Sequence, residues 1–229
     1  MTERQLHVLQ SMLGYKFNNP ELLEAALTHS SYANENKKSG AVSNERLEFL
    51  GDSVLGMTVA ALIYASCPNM TEGRMTKLRA ELVCEKRLAT LAVTFGLGDF
   101  LLLGRGEEKG GGRERPSILA DAVEALLAAI YLDGGFEPVR RLINEYLFPE
   151  AARIEAENTD YKTVLQEMIQ EKAGQTLSYN VTGESGPDHM KSFTVEVLLN
   201  GARVGHGSGK SKKEAEQTAA KSALDGLSP

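Results

Sequence analysis

Apolar residues in the first two-thirds of the chain recur at the spacing of helices. The segment "TERQLHVLQSMLG" places Leu6, Leu9 and Leu13 on one helical face and ends at a glycine. The segment that opens with "NERLEFLGDSVLG" predicts a long helix from about residue 44 to residue 66, which ends before Pro68. "SILADAVEALLAAIYLDGG" is apolar almost throughout, as is typical of a helix buried on all sides. The pattern therefore predicts an all-α first domain.

The pattern changes near residue 153. "RIEAENTD" is mostly polar, as is typical of a linker, and "DYKTVLQEMIQEKAG" after it predicts an amphipathic helix. "TLSYNVTGE", "SFTVEVLLN" and "ARVGHGSG" show the alternation of strands, with a tight turn at Asn200–Gly201, and "SKKEAEQTAAKSALDGL" predicts a last helix. We expect an all-α domain at residues 1–152, a linker at 153–159 and a small α+β domain of order α-β-β-β-α at 160–229.

Composition and charge narrow the class of protein. The 229 residues carry a formal net charge of −6, so any nucleic-acid site must come from a local group of basic residues. Two cysteines without a Cys-x-x-Cys pair argue against a disulfide framework and against a cysteine zinc site. The N-terminus does not have the pattern of a signal peptide, and the apolar runs are shorter than the roughly 20 residues that span a bilayer. We therefore expect a cytoplasmic protein without a membrane segment.

Carboxylates interrupt two of the apolar helices at regular spacing. Glu45, Glu48 and Asp52 stand at positions i, i+3 and i+7, so one stripe of the first helix carries all of them. Asp121 and Glu124 stand at i and i+3 within "ILADAVEALLAAIYL". Burying an unpaired charge costs several kcal/mol, so acids in such apolar surroundings need partners.

Two kinds of partner fit these acids. Arginines such as Arg46, Arg74 and Arg79 are the simpler kind, and for any single acid an arginine partner or a role as a helix-capping charge is the better explanation. For acids on two apolar helices together a divalent cation is favoured, because Mg²⁺ prefers oxygen ligands and its sites activate water and stabilise phosphoryl oxygens. Glu72, at the start of a further helix, either lies near this group or is an ordinary acid in a first helical turn.

Both acidic segments resemble parts of a known enzyme family. "NERLEFLGDSVLG" resembles the signature segment of the ribonuclease III family, and "ILADAVEALLAAIYLDGG" resembles its second acidic segment. The order of elements and the chain length resemble the short bacterial form, a nuclease domain followed by a double-stranded-RNA-binding domain. The resemblance implies an endoribonuclease that uses Mg²⁺, or Mn²⁺ in its place, to cut double-stranded RNA. It implies 5′-phosphate and 3′-hydroxyl ends with a short 3′ overhang, and ribosomal RNA precursors and structured messenger RNA as substrates.

The same resemblance assigns roles to single residues of the first domain. The metal ligands form one group, in which Asp52 and Glu124 are also catalytic: Glu48, Asp52, Asp121 and Glu124. Glu45 and Glu72 match positions that engage the substrate in the catalytic valley. Family members work as homodimers, and Phe49 matches the aromatic residue that packs into a pocket of the partner. On periodicity alone, an ordinary core phenylalanine is the favoured interpretation of Phe49.

Basic residues gather at the start of the last predicted helix. Lys210, Lys212 and Lys213 stand where the helix dipole and free N–H groups add to the attraction for phosphate, although such a group taken alone is most often an ordinary solvated surface. "DYKTVLQE", "GPDHMKSFTVEV" and "GSGKSKKEAEQTAAKSAL" resemble the three contact regions of the double-stranded-RNA-binding domain, which reads about 16 base pairs of duplex shape. The resemblance implies that the lysines bridge phosphates and that two successive minor grooves receive other side chains: Thr163, Gln166, Glu167 and His189.

Other interpretations are open at this point. A protein that binds duplex RNA without cutting it would need the second domain and not the acids, and a helical phosphohydrolase acting on nucleotides would need the acids and not the second domain. The glycine-rich "GRGEEKGGGRERP" lacks the nucleotide-binding pattern, and its Arg113 and Arg115 either contact RNA or belong to a flexible loop. His29 has no second histidine at ligand spacing, so we expect it to be packed or hydrogen-bonded.

Overall fold

The structure of the chain, a computed structural model, describes residues 3–158, 160–170, 174–187 and 191–227. It divides into two compact units, one ending at Glu157 and the other beginning at Asn158. Each unit has a hydrophobic core of its own. His189, one of the predicted RNA contacts, lies outside the described residues.

The first unit is built from helices, as the apolar spacing predicts. They run as α1 (Glu3–Leu13), α2 (Pro20–Ala26), α3 (Ser30–Glu35), α4 (Glu45–Ser66), α5 (Glu72–Leu82), α6 (Glu85–Thr94), α7 (Arg105–Lys109), α8 (Pro116–Gly134), α9 (Phe136–Tyr146) and α10 (Glu150–Asn158). Short 3₁₀ turns join some of them, at Lys37–Ser39, Leu97–Phe100 and Gly112–Glu114. The prediction of an all-α first domain is confirmed.

Helix α8 lies at the centre of the first unit. Its residues from Ile118 to Ile130 are buried, except for Asp121 and Glu124, which are half-buried. The inner face of α4 packs along α8 and buries a stripe of large apolar side chains: Val54, Leu55, Val59, Leu62 and Ile63. This packing accounts for the apolar run of α8, and it sets the two acidic segments side by side.

Helix α4 is long and apolar enough to cross a membrane, and it is the only such helix in the part of the chain that the structure describes. A core helix meets the same criterion of length and composition, and α4 packs in the core against α8. The outer face of α4 exposes three large apolar or aromatic side chains, those of Phe49, Met57 and Tyr64. Apolar residues of α4 therefore lie both in the core, against α8, and on the exposed outer face of the helix.

The chain stays helical through most of the predicted linker. Helix α10 covers residues 150–158, and its Ile154 is buried in the core of the first unit. Glu150, the first residue of α10, forms an ion pair with Arg87 of α6. The boundaries 1–152, 153–159 and 160–229 stay a prediction.

The second unit has the order α-β-β-β-α. Its elements are α11 (Tyr161–Gln170), β1 (Leu177–Ser185), β2 (Ser192–Leu199), β3 (Ala202–Gly209) and α12 (Lys212–Leu227). The strands form one antiparallel sheet in the order β1-β2-β3. The turn between β2 and β3 is the two-residue Asn200–Gly201, where both residues have positive φ angles of 51° and 82°, as a tight hairpin turn requires. The predicted α+β fold is confirmed.

Glycines let α12 lie directly on β3. Gly205, Gly207 and Gly209 alternate along the strand, and a Cβ atom on Gly207 would lie 2.3 Å from the backbone nitrogen of Ala219. The residues of α12 that are fully buried are small: Ala215, Ala219, Ala220 and Ala223. The alternating "GHGSG" and the alanine-rich helix are therefore two sides of one close contact.

Candidate metal centre and nucleic-acid interface

A glycine brings the acidic segments of α4 and α8 into contact. A Cβ atom on Gly51 would lie 1.9 Å from the backbone oxygen of Glu124, far inside van der Waals distance. Gly51 stands next to Asp52 and three residues after Glu48 in α4. The two helices therefore meet, backbone against backbone, where each carries its acids.

Carboxylates from both helices converge at this crossing. Oxygen atoms of Glu48, Asp121 and Glu124 all lie within 4.8 Å of one another, and the three side chains are half-buried. Within the described part of the chain, none of them makes an ion pair with a lysine or an arginine, so the arginine explanation fails for this group. Asp52 is exposed and stands outside the group of three, although its charge acts on Glu124.

Mutual repulsion is visible in the pKa of Glu124. Burial, as the largest cause, and the charges of Asp52, Asp121 and Glu48 together raise the pKa of this carboxyl from 4.5 to about 7. The pKa of Glu48 is also raised, first by burial and then by Asp121 and Glu45. Partly buried acids that repel one another favour a proton or a cation among them. The arrangement has the oxygen ligands that a hard divalent cation prefers.

Two further residues act on the cluster from other helices. Burial raises the pKa of Asp121, the charge of His29 opposes this, and the charge of Glu85 at the start of α6 adds to it. The ring of His29 is hydrogen-bonded: its Nδ1 accepts from the Ser31 backbone N–H at 3.3 Å and lies 2.8 Å from the Ser31 hydroxyl. His29 thus caps α3 with one side of its ring, and its charge acts on Asp121.

The other predicted substrate acids lie on the surface of the first unit. Glu45 is exposed, accepts a hydrogen bond from the Ser43 hydroxyl at 2.9 Å and raises the pKa of Glu48. Glu72 is exposed at the first residue of α5 and accepts from the Thr76 hydroxyl at 2.9 Å. Glu45 is thus close enough to influence the acid cluster, whereas Glu72 makes its hydrogen bond within its own helix.

The predicted RNA contacts of the second unit are all exposed where the structure describes them. Thr163, Gln166 and Glu167 stand on one face of α11, at the spacing i, i+3 and i+4. Three lysines lie at the start of α12: Lys210, Lys212 and Lys213. Lys212 Nζ lies 5.8 Å from the centre of the Phe193 ring of β2. Side chains at these positions are accessible to a ligand from solvent.

Comparison with known proteins agrees with this division of the chain. Residues 19–151 match a family model described as ribonuclease-III-like, and residues 161–227 match the double-stranded RNA binding motif. The chain is 51% identical to the ribonuclease 3 of Pelotomaculum thermopropionicum over 225 residues, which are 96% of this chain and 92% of that protein. The chain belongs to the ribonuclease III family. It is 45% identical to the family member from Listeria innocua over 224 residues, which are 97% of this chain and 98% of that protein.

The solved structure of a family member is similar to the first unit. The nuclease domain of ribonuclease III from Campylobacter jejuni is 41% identical and aligns with a TM-score of 0.59, covering 63% of this chain and 96% of that domain. Family membership confirms the resemblance of the acidic segments and makes this chain an endoribonuclease with a domain that binds double-stranded RNA. Among the described residues, the acid cluster could hold a metal ion.

Phe49 does not lie in the core of the chain. Its side chain is 80% exposed, so the core interpretation favoured by periodicity is wrong. Further along α4, that helix and α5 enclose a groove of about 280 Å³ that is mostly apolar inside and is lined by seven residues: Ala60, Ile63, Tyr64, Glu72, Met75, Thr76 and Arg79. The first unit therefore presents both an exposed aromatic side chain and an apolar groove.

The glycine-rich segment is held by its own arginines. Arg113 donates two hydrogen bonds to Glu108, at 2.8 and 2.7 Å, and two to the carbonyls of Gly98 and Leu101. Arg115 pairs with Glu107 at 2.6 Å. The flexible-loop interpretation does not fit this structure, because both guanidinium groups are engaged within the first unit.

Sequence reasoning missed the roles of Gly51 and Glu85. Gly51 lies within the quoted signature segment, but a glycine inside a helix does not by itself reveal what approaches it. Glu85 stands on a different helix from the other acids, so no spacing rule connects it with Asp121. Only the packing of α6 against α8 brings the two together.

Proposed function

We propose that this protein is a Mg²⁺-dependent endoribonuclease that cuts both strands of double-stranded RNA as a homodimer. The observation that supports it most is the group of three carboxylates, drawn together from α4 and α8 within 4.8 Å. Such a group is costly in the free protein, and a bound divalent cation offsets the repulsion. An acid cluster of this kind has a use in a phosphodiester hydrolase, where negative charge must be stabilised.

The residues at the crossing fit a divalent cation in number and chemistry. Glu48, Asp121 and Glu124 supply converging oxygen atoms, and Asp52 completes the set from the exposed side. Mg²⁺ is the expected ion because it takes oxygen ligands and keeps several waters, and Mn²⁺ accepts the same ligands. When bound, such an ion supplies charge stabilisation and lowers the pKa of water. The side chains of Asp52 and Glu124 act as the catalytic acids, and Glu45 and Glu72 engage the RNA.

The reaction is a hydrolysis of the phosphodiester backbone. One water is added across the bond between phosphorus and the 3′ oxygen, so the phosphate stays on the 5′ end of one product and the other product ends in a 3′-hydroxyl. Two acid clusters in a homodimer each cut one strand, which gives a short 3′ overhang. The substrates that we propose are ribosomal RNA precursors and structured messenger RNA in the cytoplasm.

The homodimer is supported by the exposed side of α4. Phe49 presents a large apolar surface to solvent, and Met57 and Tyr64 continue it along the same helix. We place Phe49 of each subunit in the groove between α4 and α5 of the other, where Met75 lines the wall. The related domain from Campylobacter jejuni is itself described as having a region involved in dimer formation.

The second domain holds the duplex in this proposal. Its boundaries are taken as residues 160–229, after a nuclease domain at 1–152 and a linker at 153–159. The lysines at the start of α12 bind phosphates across the major groove, and α11 meets the minor groove through three side chains: Thr163, Gln166 and Glu167. His189 is proposed to enter the next minor groove, although it lies outside the described residues.

The reaction is tested on purified protein with a long labelled RNA duplex and a single-stranded control. Each is incubated with Mg²⁺, with Ca²⁺ and with a chelator, and the products are sized and their ends mapped. We expect cutting of the duplex alone, dependent on Mg²⁺, with 5′-phosphates and a short 3′ overhang. Binding of the duplex without any cutting in Mg²⁺ or Mn²⁺ would instead indicate a binding protein.

Removal of the second domain separates this proposal from a phosphohydrolase acting on nucleotides. A chain that ends after about Glu157 is expected to bind duplex RNA much more weakly, and its affinity should depend less steeply on salt because fewer phosphate contacts remain. An unchanged affinity would show that the second domain is not the RNA reader.

A further inference from the structure

A polar network joins the start of α11 to the middle of α12 in the second unit. Asp160, just before α11, accepts hydrogen bonds from the Thr163 backbone N–H at 3.1 Å and from the Thr163 hydroxyl at 2.9 Å. The side-chain amide of Gln217 donates to Asp160 Oδ1 at 2.7 Å, and its Oε1 accepts from the Lys162 backbone N–H at 3.4 Å. One glutamine of α12 therefore holds the first turn of α11 in place.

The side chain of Lys162 adds a second link among the same elements. Its Nζ pairs with Glu216 Oε2 at 2.6 Å and lies 4.7 Å from the centre of the Tyr179 ring on β1. A cation over an aromatic face and an ion pair at this distance both restrain the lysine. The network thus connects α11, α12 and β1, while Gln166 and Glu167 of α11 stay exposed.

The start of α12 is fixed by a separate set of hydrogen bonds. The Glu214 backbone N–H donates to the Ser211 hydroxyl at 3.2 Å, and Glu214 Oε2 accepts from the Lys210 backbone N–H at 2.7 Å. Gln217 follows Lys212 by about 7.5 Å along the helix axis, at 1.5 Å for each residue. Because both points are fixed, α12 is a rigid spacer between the lysines and the first turn of α11.

We propose that Gln217, supported by Lys162 and Glu216, is a positioning residue that makes the second domain prefer RNA duplexes to DNA duplexes. This inference rests on the RNA-binding surface proposed above. Lysines attract the phosphates of either duplex, so the lysine group gives affinity without preference. The preference must come from the wide minor groove of A-form RNA with its 2′-hydroxyls. Side chains of α11 reach that groove only when their distance from the phosphate contacts matches the A-form helix.

The test compares two affinities of the full-length chain in a chelator, so that no strand is cut. Fluorescence anisotropy gives Kd for an RNA duplex of about 20 base pairs, somewhat longer than the domain covers, and for a DNA duplex of the same sequence. Gln217→Ala is expected to weaken RNA binding about tenfold and DNA binding less than about twofold, since it removes two hydrogen bonds that hold α11 and none that hold the lysines. The preference for RNA should therefore fall.

The neighbouring residue provides a matched control. Thr218 is exposed on the same helix, and its hydroxyl donates to the Glu214 carbonyl at 3.0 Å, within α12. Thr218→Ala should leave both affinities unchanged. A second variant, Glu216→Gln, removes the charge that pairs with Lys162 and keeps the side-chain size, and we expect about a threefold loss of RNA affinity with DNA affinity kept. If circular dichroism shows that Gln217→Ala does not fold, Glu216→Gln tests the positioning role in its place.

Lys213→Ala tests the RNA-binding surface separately. It should weaken RNA and DNA binding alike and leave the ratio of the two affinities unchanged. If Lys213→Ala behaves so while Gln217→Ala and Glu216→Gln keep the ratio of the wild type, or weaken both duplexes equally, the positioning role is wrong and the surface stands. If Lys213→Ala weakens neither duplex, the surface fails, and the inference built on it fails with it.

Discussion

The two units of this chain bring polar side chains from two helices together in opposite ways. At the crossing of α4 and α8, acid meets acid, and burial and repulsion raise the pKa of Glu124 to about 7. Between α11 and α12, hydrogen bonds from Gln217 and then from the first turn of α11 lower the pKa of Asp160. Polar groups that satisfy one another stabilise a fold, whereas acids left unsatisfied in the free protein point to a ligand that arrives from outside.

The largest effect is expected where the two acidic helices touch. Gly51→Ala places a Cβ atom 1.9 Å from the Glu124 carbonyl oxygen, so the helices must separate. We expect a loss of about 3 kcal/mol in the free energy of unfolding, measured in urea, together with loss of RNA cleavage. Gly56→Ala on the same helix is the control, because nothing lies within 4 Å of its added Cβ atom and alanine is the better helix former. Equal stability of the two variants would disprove the close crossing.

Removal of one acid should separate stability from activity. Glu124→Gln is expected to lower the cleavage rate at least about a hundredfold, because we propose Glu124 as a metal ligand and a catalytic acid. It should leave duplex binding intact and raise the melting temperature of the metal-free protein, because one repelling charge has gone. Rates on a labelled duplex and thermal melts in a chelator measure the two effects. Full activity in this variant would remove Glu124 from the mechanism.

The acid cluster should also give the metal-free protein a characteristic dependence on pH. The pKa of Glu124 in the folded chain, about 7, lies above its ordinary value of 4.5, so the folded state binds more protons between these values. The stabilising contribution is full below about pH 4.5 and is lost as the pH rises through 7, by about 1 kcal/mol after allowance for solvent screening. Urea unfolding in a chelator measures it. The same slope in Glu124→Gln would assign the effect to other groups.

An effect of similar size, with the opposite dependence on pH, is expected in the paired network of the second unit. Asp160→Asn weakens the cap of α11 and should cost about 1 kcal/mol at neutral pH. Because the pKa of Asp160 is lowered in the folded state, its contribution is present above about pH 4 and is lost as the pH falls through the folded value. Asp225→Asn, at an exposed position of α12, should leave stability at neutral pH unchanged. If the two variants melt alike at neutral pH, the network does not stabilise the domain.

Much of this structure could be predicted from the local spacing of residue types in the sequence. The acids of α4 and α8 repeat at helical intervals, so their shared faces could be predicted without knowing how the helices pack. The second domain could be predicted as well, because the alternation along its strands, the hairpin turn at Asn200–Gly201 and the alanine-rich last helix each specify a local structure. Features that depend on one element at a time are the ones that a sequence shows.

Features that depend on two distant elements were not predictable. Phe49 has the spacing of a core residue, and periodicity does not tell a buried apolar residue from an exposed one. Asp52 shares the stripe of Glu48, yet its exposed side chain stands outside the group of three, which helical spacing alone does not indicate. Arg113 binds the carbonyls of Gly98 and Leu101, a contact set by the path of the chain and not by its pattern.

The backbone contact at Gly51 joins the chemistry of the nuclease domain to its folding. Helices that part by a small distance at this point disperse the oxygen atoms that must act together. We therefore expect a substitution anywhere along α4 or α8 that loosens their crossing to weaken the proposed binding of a metal ion, even when no acid is replaced. Conversely, an ion bound by side chains of both helices would stabilise the folded state and oppose separation of the helices. The affinity of the acid cluster for an ion and the free energy of unfolding should therefore both depend on how closely α4 and α8 approach each other at Gly51.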